Sequence, residues 1–533
     1  MTNTRRTILT NTYYLYLTEF FSGMAVMAVE LGAARLLAPY FSSSQIVWTI
    51  IIGTIMIAMA GGNYWGGRQA DHNPDPAILY RNIIIAALWI AAIPLVGKYI
   101  ILAITGLLIL AVDTNLLICA AFAACMIIFV FPLFLLGTVT PSLAKYTVRS
   151  LADSGKIVGT LGACNTIGSI IGTFLPTFVT IPAVGTAVSF LVFSGVLLCI
   201  GIMYFIAKRK QKMLVRLSLL LFLISSVLGH RDSFAFWENN ITYEGESMYN
   251  YLQVRDTPDQ TILSTNVMFG IQSVKMKQSD LTGMYYDYAL AGPVMNDAAG
   301  KDRPSMLILG MGAGTYASQC RKYFPKMNIE GVEIDQKITD LAHTYFDLDP
   351  AIPVTTYDVR AYLYASRKKY DIIMVDAYQD ITLPFQMSSR EFFRLVKEHL
   401  KDGGVMAVNM NMQTHSQGNI NEYLQDTIAS EFPHVYTIDV PNTSNRELFA
   451  TEDSRLPSQF PAAVSALPDP ELRAFMLKIV PHMTAYTGGN HVLTDDKAPV
   501  ELLGMKTIDA LIQNEIGPYR KQFEQEGFSG LLK

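Results

Sequence analysis

MLILGMGAGTY, residues 306–316, is an apolar run that breaks into a glycine-rich turn, with Gly310, Gly312 and Gly314 spaced G-x-G-x-G. A second apolar run, IEGVEID, carries an acid, Glu333, twenty-three residues after Gly310. Glycines let backbone amides approach a ligand closely, and a carboxylate at the next strand end can accept bonds from ribose hydroxyls. The pair predicts a site for a nucleotide or S-adenosylmethionine. The plain structural alternative is a strand–helix turn that packs and binds nothing.

The surrounding pattern strengthens the ligand reading. MLILG, NIEGVEI, PVTTYDV, YDIIMVDA and GGVMAVNM read as strands, with helical stretches near 340–345, 389–399 and 421–431. That alternation predicts a doubly wound, Rossmann-like parallel sheet, whose ligands lie at the carboxyl ends of its strands. Three further acids sit at those ends: Asp358 before Val359, Asp376 closing YDIIMVD, and Asp380 four residues later. One such acid is ordinary turn chemistry, but this series behind a glycine turn is not. An acid at the third strand end suits an adenine amino group, and one at the fourth lies near the reacting atoms. Ahead of this, residues 237–293 read as a small β-rich subdomain (TYEGESMYNYLQV, TILSTN, VMFGIQSVKM).

The N-terminal part is of another kind. The chain has 533 residues, 51% hydrophobic and only 16% charged, with mean hydropathy +0.27. Charges are sparse before about Lys208 and common after Arg231. This predicts a membrane-embedded half and a soluble half, since a bilayer crossing needs roughly 20 apolar residues. Candidate spans are 12–38, 46–67, 81–112, 115–140, 158–181 and 184–207, with Gly97-Lys98 a possible break in the third. The first span reads as retained rather than as a cleavable signal. Arg5, Arg6, Arg68, Arg81, Lys145, Arg149, Lys156 and the 208–212 cluster fall on alternate loops, which predicts six spans with both ends cytoplasmic. A seventh apolar run, 217–229, has thirteen residues, about 20 Å at helical rise and less than a bilayer core, so it reads as an interfacial or half-inserted helix; the alternative is a seventh span, which would put the soluble half outside the cell, away from S-adenosylmethionine. Glu30 and Arg35, within or near the end of the first span, are either functional or a structural ion pair.

Other classes are disfavoured. Net charge is −4 and pI about 6.1, with no electrostatic reason to expect nucleic acid. Cys119, Cys125, Cys164, Cys199 and Cys320 show no zinc or disulfide spacing, and His415, His434 and His491 match no metal pattern. No metal is expected. LTDDKAPVE, 493–501, contains acids suited to capping, and Ile508, Leu511, Ile512 and Ile516 have the spacing of a packing helix.

With these residues in place, the chain resembles the spermidine synthase (polyamine aminopropyltransferase) family over residues 241–410, with a weaker continuation to Glu501. ESMYNYLQV resembles the family's opening Tyr-Gln strand. Ile271-Gln272 resembles its next ligand-contacting strand, and Tyr285 with Asp287 stands at its Tyr-(His/Gln)-Glu motif. LGMGAG matches LGGGDG, and VDAYQD stands where the family has Asp-Ser-Ser-Asp-Pro. The hydrophobic half resembles the membrane region of bacterial transmembrane spermidine synthase-like proteins.

The resemblance implies aminopropyl transfer from decarboxylated S-adenosylmethionine to putrescine or a related amine, with Asp376 as general base and 5′-methylthioadenosine as leaving product. It implies donor contacts from Gln272, Gly310, Gly312, Gly314, Glu333, Asp335, Asp358, Val359 and Asp376, and amine contacts from Tyr249, Tyr285, Asp287, Tyr378 and Asp380. It implies a homodimer; the apolar spans and the Lys/Arg pattern place the chain in the inner membrane, with a cytoplasmic soluble domain as the expectation.

Three departures matter. The family's glycine-loop Asp is Ala313, the Gln after its first Tyr is Asn250, and its Tyr-Pro-Ser-Gly loop is VPNTSN, 440–445. An Asp at 313 would repel the carboxylate of intact S-adenosylmethionine, so Ala313 leaves that donor open. The alternatives are a methyltransferase or sulfonium lyase on the same scaffold, or a transporter or sensor with a nucleoside-binding domain. The expected organisation is a transmembrane domain at 1–212, a linker at 213–236, a small β subdomain at 237–300 and the Rossmann-like domain at 301–533.

Overall fold

The computed structural model describes residues 12–112, 114–148, 154–230, 233–267, 270–378, 383–414 and 417–526. The chain divides into two compact units, Met1–Trp237 with Gly245–Tyr251, and Glu238–Glu244 with Leu252–Lys533. Arg5, Arg6, Arg149, Asp380 and His415 lie outside the described residues.

The first unit is a helical bundle: α1 (Thr12–Phe41), α2 (Gln45–His72), α3 (Pro76–Ala111), α4 (Leu116–Gly137), α5 (Val139–Thr147), α6 (Ser154–Leu175), α7 (Ile181–Lys208) and α8 (Lys212–Gly229). Six helical stretches among the described residues are long and apolar enough to cross a membrane. One of these, Ser154–Lys208, is two arms folded back at Gly185 (φ 82°). On its first arm Gly168 and Gly172 lie against the Phe20 and Met24 carbonyls of α1. On its second arm Phe190 covers Gly32, and Tyr14 Oη donates to the Ile200 carbonyl (2.6 Å). So α6 runs with α1 and α7 runs against it. Small residues permit these close approaches, as membrane helix packing requires.

Two expectations change here. Gly97-Lys98 does not divide α3; Gly97 packs on Leu36, and Lys98 Nζ donates to the Ser233 carbonyl (2.9 Å). The run at 217–229 is part of a longer helix that begins at Lys212 and has 18 residues, about 27 Å at helical rise. It packs along α3 and α7, with Phe222 at Gly195 and Gly229 at Pro94. Beyond it, the Phe234 carbonyl accepts from Tyr40 Oη (2.8 Å) at the far end of α1. Arg35 donates to the Met248 carbonyl, a structural tie within this unit.

The second unit has two sheets. The small one has order β1-β2-β3-β4, from β1 (Ile241–Glu246), β2 (Tyr251–Asp256), β3 (Gln260–Ser264) and β4 (Ser273–Met276). Two short helices follow, α9 (Tyr285–Ala289) and α10 (Ala291–Met295). The large sheet is built from β5 (Ser305–Leu309), α11 (Thr315–Tyr323), β6 (Asn328–Glu333), α12 (Gln336–Tyr345), β7 (Val354–Thr356), α13 (Val359–Ala365), β8 (Tyr370–Val375), α14 (Arg390–Glu398) and β9 (Leu400–Met410). Then come α15 (Ile420–Ala429), β10 (His434–Asp439), β11 (Arg446–Thr451), α16 (Leu456–Ala466), α17 (Pro470–Ile479), β12 (Thr484–Tyr486) and α18 (Val500–Glu526).

The eight strands lie in the order β12-β10-β11-β9-β8-β5-β6-β7. Pairings among β5 to β9 are parallel, and β11 adds antiparallel to β9. This is a Rossmann-like mixed sheet, as the alternating pattern predicts. Its inner strands are buried on both faces, with Ile372, Ile373, Met374 and Val375 of β8 fully enclosed, which explains their uninterrupted apolar run. The order reverses between β5 and β8, so a crevice opens at their carboxyl ends.

Candidate active site

The glycine turn sits in that crevice. Gly310 (φ 92°) and Gly312 (φ 54°) are in the left-handed region, which a side chain disfavours. A Cβ on Gly310 would lie 2.6 Å from the Asp376 carbonyl oxygen, and one on Gly312 would lie 2.8 Å from Ser273 Oγ. Gly314 caps α11. Glu333, buried at the end of β6, accepts from Gly312 N (Oε2, 2.9 Å) and Asp335 N (Oε1, 3.1 Å). Burial pushes its carboxyl up to about 7, against the pull of those amides.

Asp376 follows β8. Its Oδ2 accepts from Tyr285 Oη (2.7 Å) and its Oδ1 from Asn409 Nδ2 (2.9 Å). Burial raises this carboxyl to about 7; the two hydrogen bonds pull it down and the Glu333 charge pushes it up. Asn409 Oδ1 in turn accepts from Asn445 Nδ2 (2.9 Å), and the Asn409 carbonyl accepts from Tyr378 Oη. Asp376 therefore lies in a fixed network that leaves it poised to exchange a proton near neutral pH.

A cavity of about 540 Å³ opens over it. Gln272, Tyr285, Asp376 and Tyr378 line this cavity beside Asn409 and Asn445, and Ile508, Leu511 and Ile512 of α18 form an aliphatic wall. A smaller space beneath the glycine turn is shared by Gln272, Gly310, Gly312 and Asp376.

Other candidates have structural partners. Asp335 caps α12 through Lys337 N, and Asp358 caps α13 through Ala361 N (2.8 Å); Val359 is buried behind that cap. Asp287 is buried and accepts from Thr282 N, Thr282 Oγ1, Gly283 N and Gln319 Nε2. Its carboxylate holds the 282–283 turn and is absent from the cavity lining. Tyr249, in the turn between β1 and β2, belongs to the first unit and is 46% exposed. Asn409 carries no motif, Asn445 closes the VPNTSN loop with nothing in that stretch to distinguish it, and sheet order brings both to Asp376. The α18 side chains were readable as a packing face but not as a cavity wall.

Residues 286–454 match the spermine/spermidine synthase domain. Over 349 residues the chain is 53% identical to a "probable polyamine aminopropyl transferase" of Bifidobacterium longum, covering 62% of this chain and 77% of that one. The chain belongs to the polyamine aminopropyltransferase family. As a member of that family it is a transferase. A more distant polyamine aminopropyltransferase, from Vibrio vulnificus, is 27% identical over 236 residues, 42% of this chain and 76% of its own. A crystal structure of a probable spermidine synthase from Corynebacterium glutamicum covers 47% of this chain and 98% of its own at 19% identity and a TM-score of 0.37.

Proposed function

We propose that this aminopropyltransferase is membrane-bound and moves the aminopropyl group of decarboxylated S-adenosylmethionine to putrescine or a related amine, with Asp376 as base. The observation that carries the reading is the Tyr285–Asp376–Asn409 network facing the cavity beside the glycine turn. A neutral amine attacks the methylene next to sulfur, the C–S bond breaks with its electrons to sulfur, and 5′-methylthioadenosine leaves. The new ammonium loses a proton to the carboxylate. Glu333 would hold the ribose, while Gln272 and Tyr285 would line the path of the aminopropyl chain. A homodimer is the expected assembly.

The test is incubation of the detergent-purified chain with decarboxylated or intact S-adenosylmethionine, with and without putrescine, read by mass spectrometry. Methylthioadenosine and spermidine are expected only from the decarboxylated donor with amine. S-adenosylhomocysteine would instead mean a methyltransferase, methylthioadenosine from the intact donor without amine a lyase, and no product a non-catalytic role.

The bundle would anchor the chain in the bilayer, with the helix ends bearing Arg68, Arg81, Lys145 and Lys208–Lys212 in the cytoplasm. On that orientation α8 is a further crossing, because it starts among these cations and ends beside Lys98. Residues 233–237 then emerge on the other side, opposite to the cytoplasmic placement that a half-inserted helix implies. In a cysteine-free background, Gln211→Cys should be shielded from an impermeant maleimide in intact cells, while a cysteine appended after Lys533 should react. The reverse pattern would return the transferase half to the cytosol.

A further inference from the structure

Glu447 lies in β11 with none of its surface exposed, and neither carboxyl oxygen has a hydrogen-bond partner among the described residues. A buried orphan carboxyl is costly and calls for an explanation. Its position supplies one. Glu447 pairs directly across the sheet with Asn409 of β9, and side chains of opposed antiparallel residues share a face, with Cβ atoms about 5 Å apart. Asn409 uses that face to hold Asp376, and Asn445, two residues before Glu447, joins the same network. Glu447 therefore lies under the cavity floor, beside the candidate base. Asp376 acts on it electrostatically, and it acts on Tyr378 and Tyr316. Its β10 neighbour is the apolar Ile438. The α9 helix packed on β11 contributes Tyr285, already donating to Asp376. Arg446, next along the strand, points to the opposite face and pairs with Asp439.

We propose that Glu447, outside the cavity lining and directly behind Asn409, is a positioning carboxyl for the substrate-cation site, acting through space and ionising when a cationic donor or amine enters the cavity. The inference rests on the aminopropyl-transfer reading, whose substrates are cations. One proton passes to solvent for each cation bound, as carboxylic acid becomes carboxylate; no other bond changes. Burial and the Asp376 charge keep the carboxyl protonated in the empty site, and an incoming positive charge reverses that balance. Its residue type was visible in RELFAT, but nothing local distinguished it from a solvated strand acid.

The experiment is titration calorimetry of the full chain in micelles at about pH 9, where Asp376 and Glu333, both raised to about 7, are already ionised, in buffers of different ionisation enthalpy. The ligands are decarboxylated S-adenosylmethionine, a cation, and 5′-methylthioadenosine, which is uncharged. The cation should release about one proton more than the neutral nucleoside. Glu447→Gln should abolish that extra release and weaken the cation at least tenfold, leaving methylthioadenosine within twofold. Glu447→Met guards against misfolding: it removes the orphan carboxyl, so its Tm should match or exceed the wild type while cation affinity falls equally. Unchanged proton release and affinity in both variants would overturn the role of Glu447 alone. A wild-type chain that binds neither ligand would overturn the transferase reading and this inference with it.

Discussion

Asp376→Asn should lower turnover by about 10²–10⁴-fold, the range of general-base catalysis, or roughly 3–5 kcal/mol of barrier, with methylthioadenosine affinity changed only a few fold. The amide keeps the size of the side chain and can still meet Asn409 and Tyr285, so the loss isolates proton acceptance. The pH profile makes the same point independently. The Asp376 carboxyl is raised by burial to about 7, and only its ionised form accepts a proton. kcat/KM should therefore fall as pH drops through about 7 and level off above it. Tyr285 donates to the carboxylate, a bond that favours the charged form. Tyr285→Phe should move the limb to higher pH and reduce the neutral-pH rate. Full turnover in the Asn variant would remove Asp376 as the base.

The contrast between Asp376 and Asp287 shows what the chain reveals locally and what it hides. Strand runs, glycine turn and strand-end acids are local patterns with a fixed physical meaning, so β5 to β9 and the places of Glu333 and Asp376 could be read directly. Asp287 stood beside Tyr285 in a familiar spacing, yet the structure turns its carboxylate to the 282–283 turn, because four donors converge there. Asn409 and Glu447 could not be read, and Asn445 only as the end of the VPNTSN loop. Their nearness to Asp376 exists only because β9 pairs with β8 and β11 is inserted antiparallel beside β9, a matter of long-range pairing. In the bundle, a thirteen-residue apolar core hid a longer helix: Lys212 and Arg216 lie inside α8, where long side chains can reach the interface with their heads while their stems stay apolar.

Gly312→Val should abolish nucleoside binding, by more than about 100-fold, while leaving the soluble half folded. The backbone at 312 is left-handed (φ 54°), a region costing a side chain about 1–2 kcal/mol and worse for a β-branched one. The new Cβ would face Ser273 Oγ at 2.8 Å and Gln272 Oε1 at 3.2 Å. Both are side-chain ends that can turn away, so the strain is relieved into the space the ligand needs. Gly310→Ala provides the control. There the added carbon would meet the backbone of Asp376 and Ala377 at 2.6 Å, which cannot rotate aside, and the strands β5 and β8 would have to separate. That variant should lose about 3 kcal/mol of stability, visible as a drop in Tm before any ligand is added. Binding retained within tenfold in Gly312→Val would mean that the ligand does not approach this turn, and that the Gly312–Glu333 bond serves packing alone.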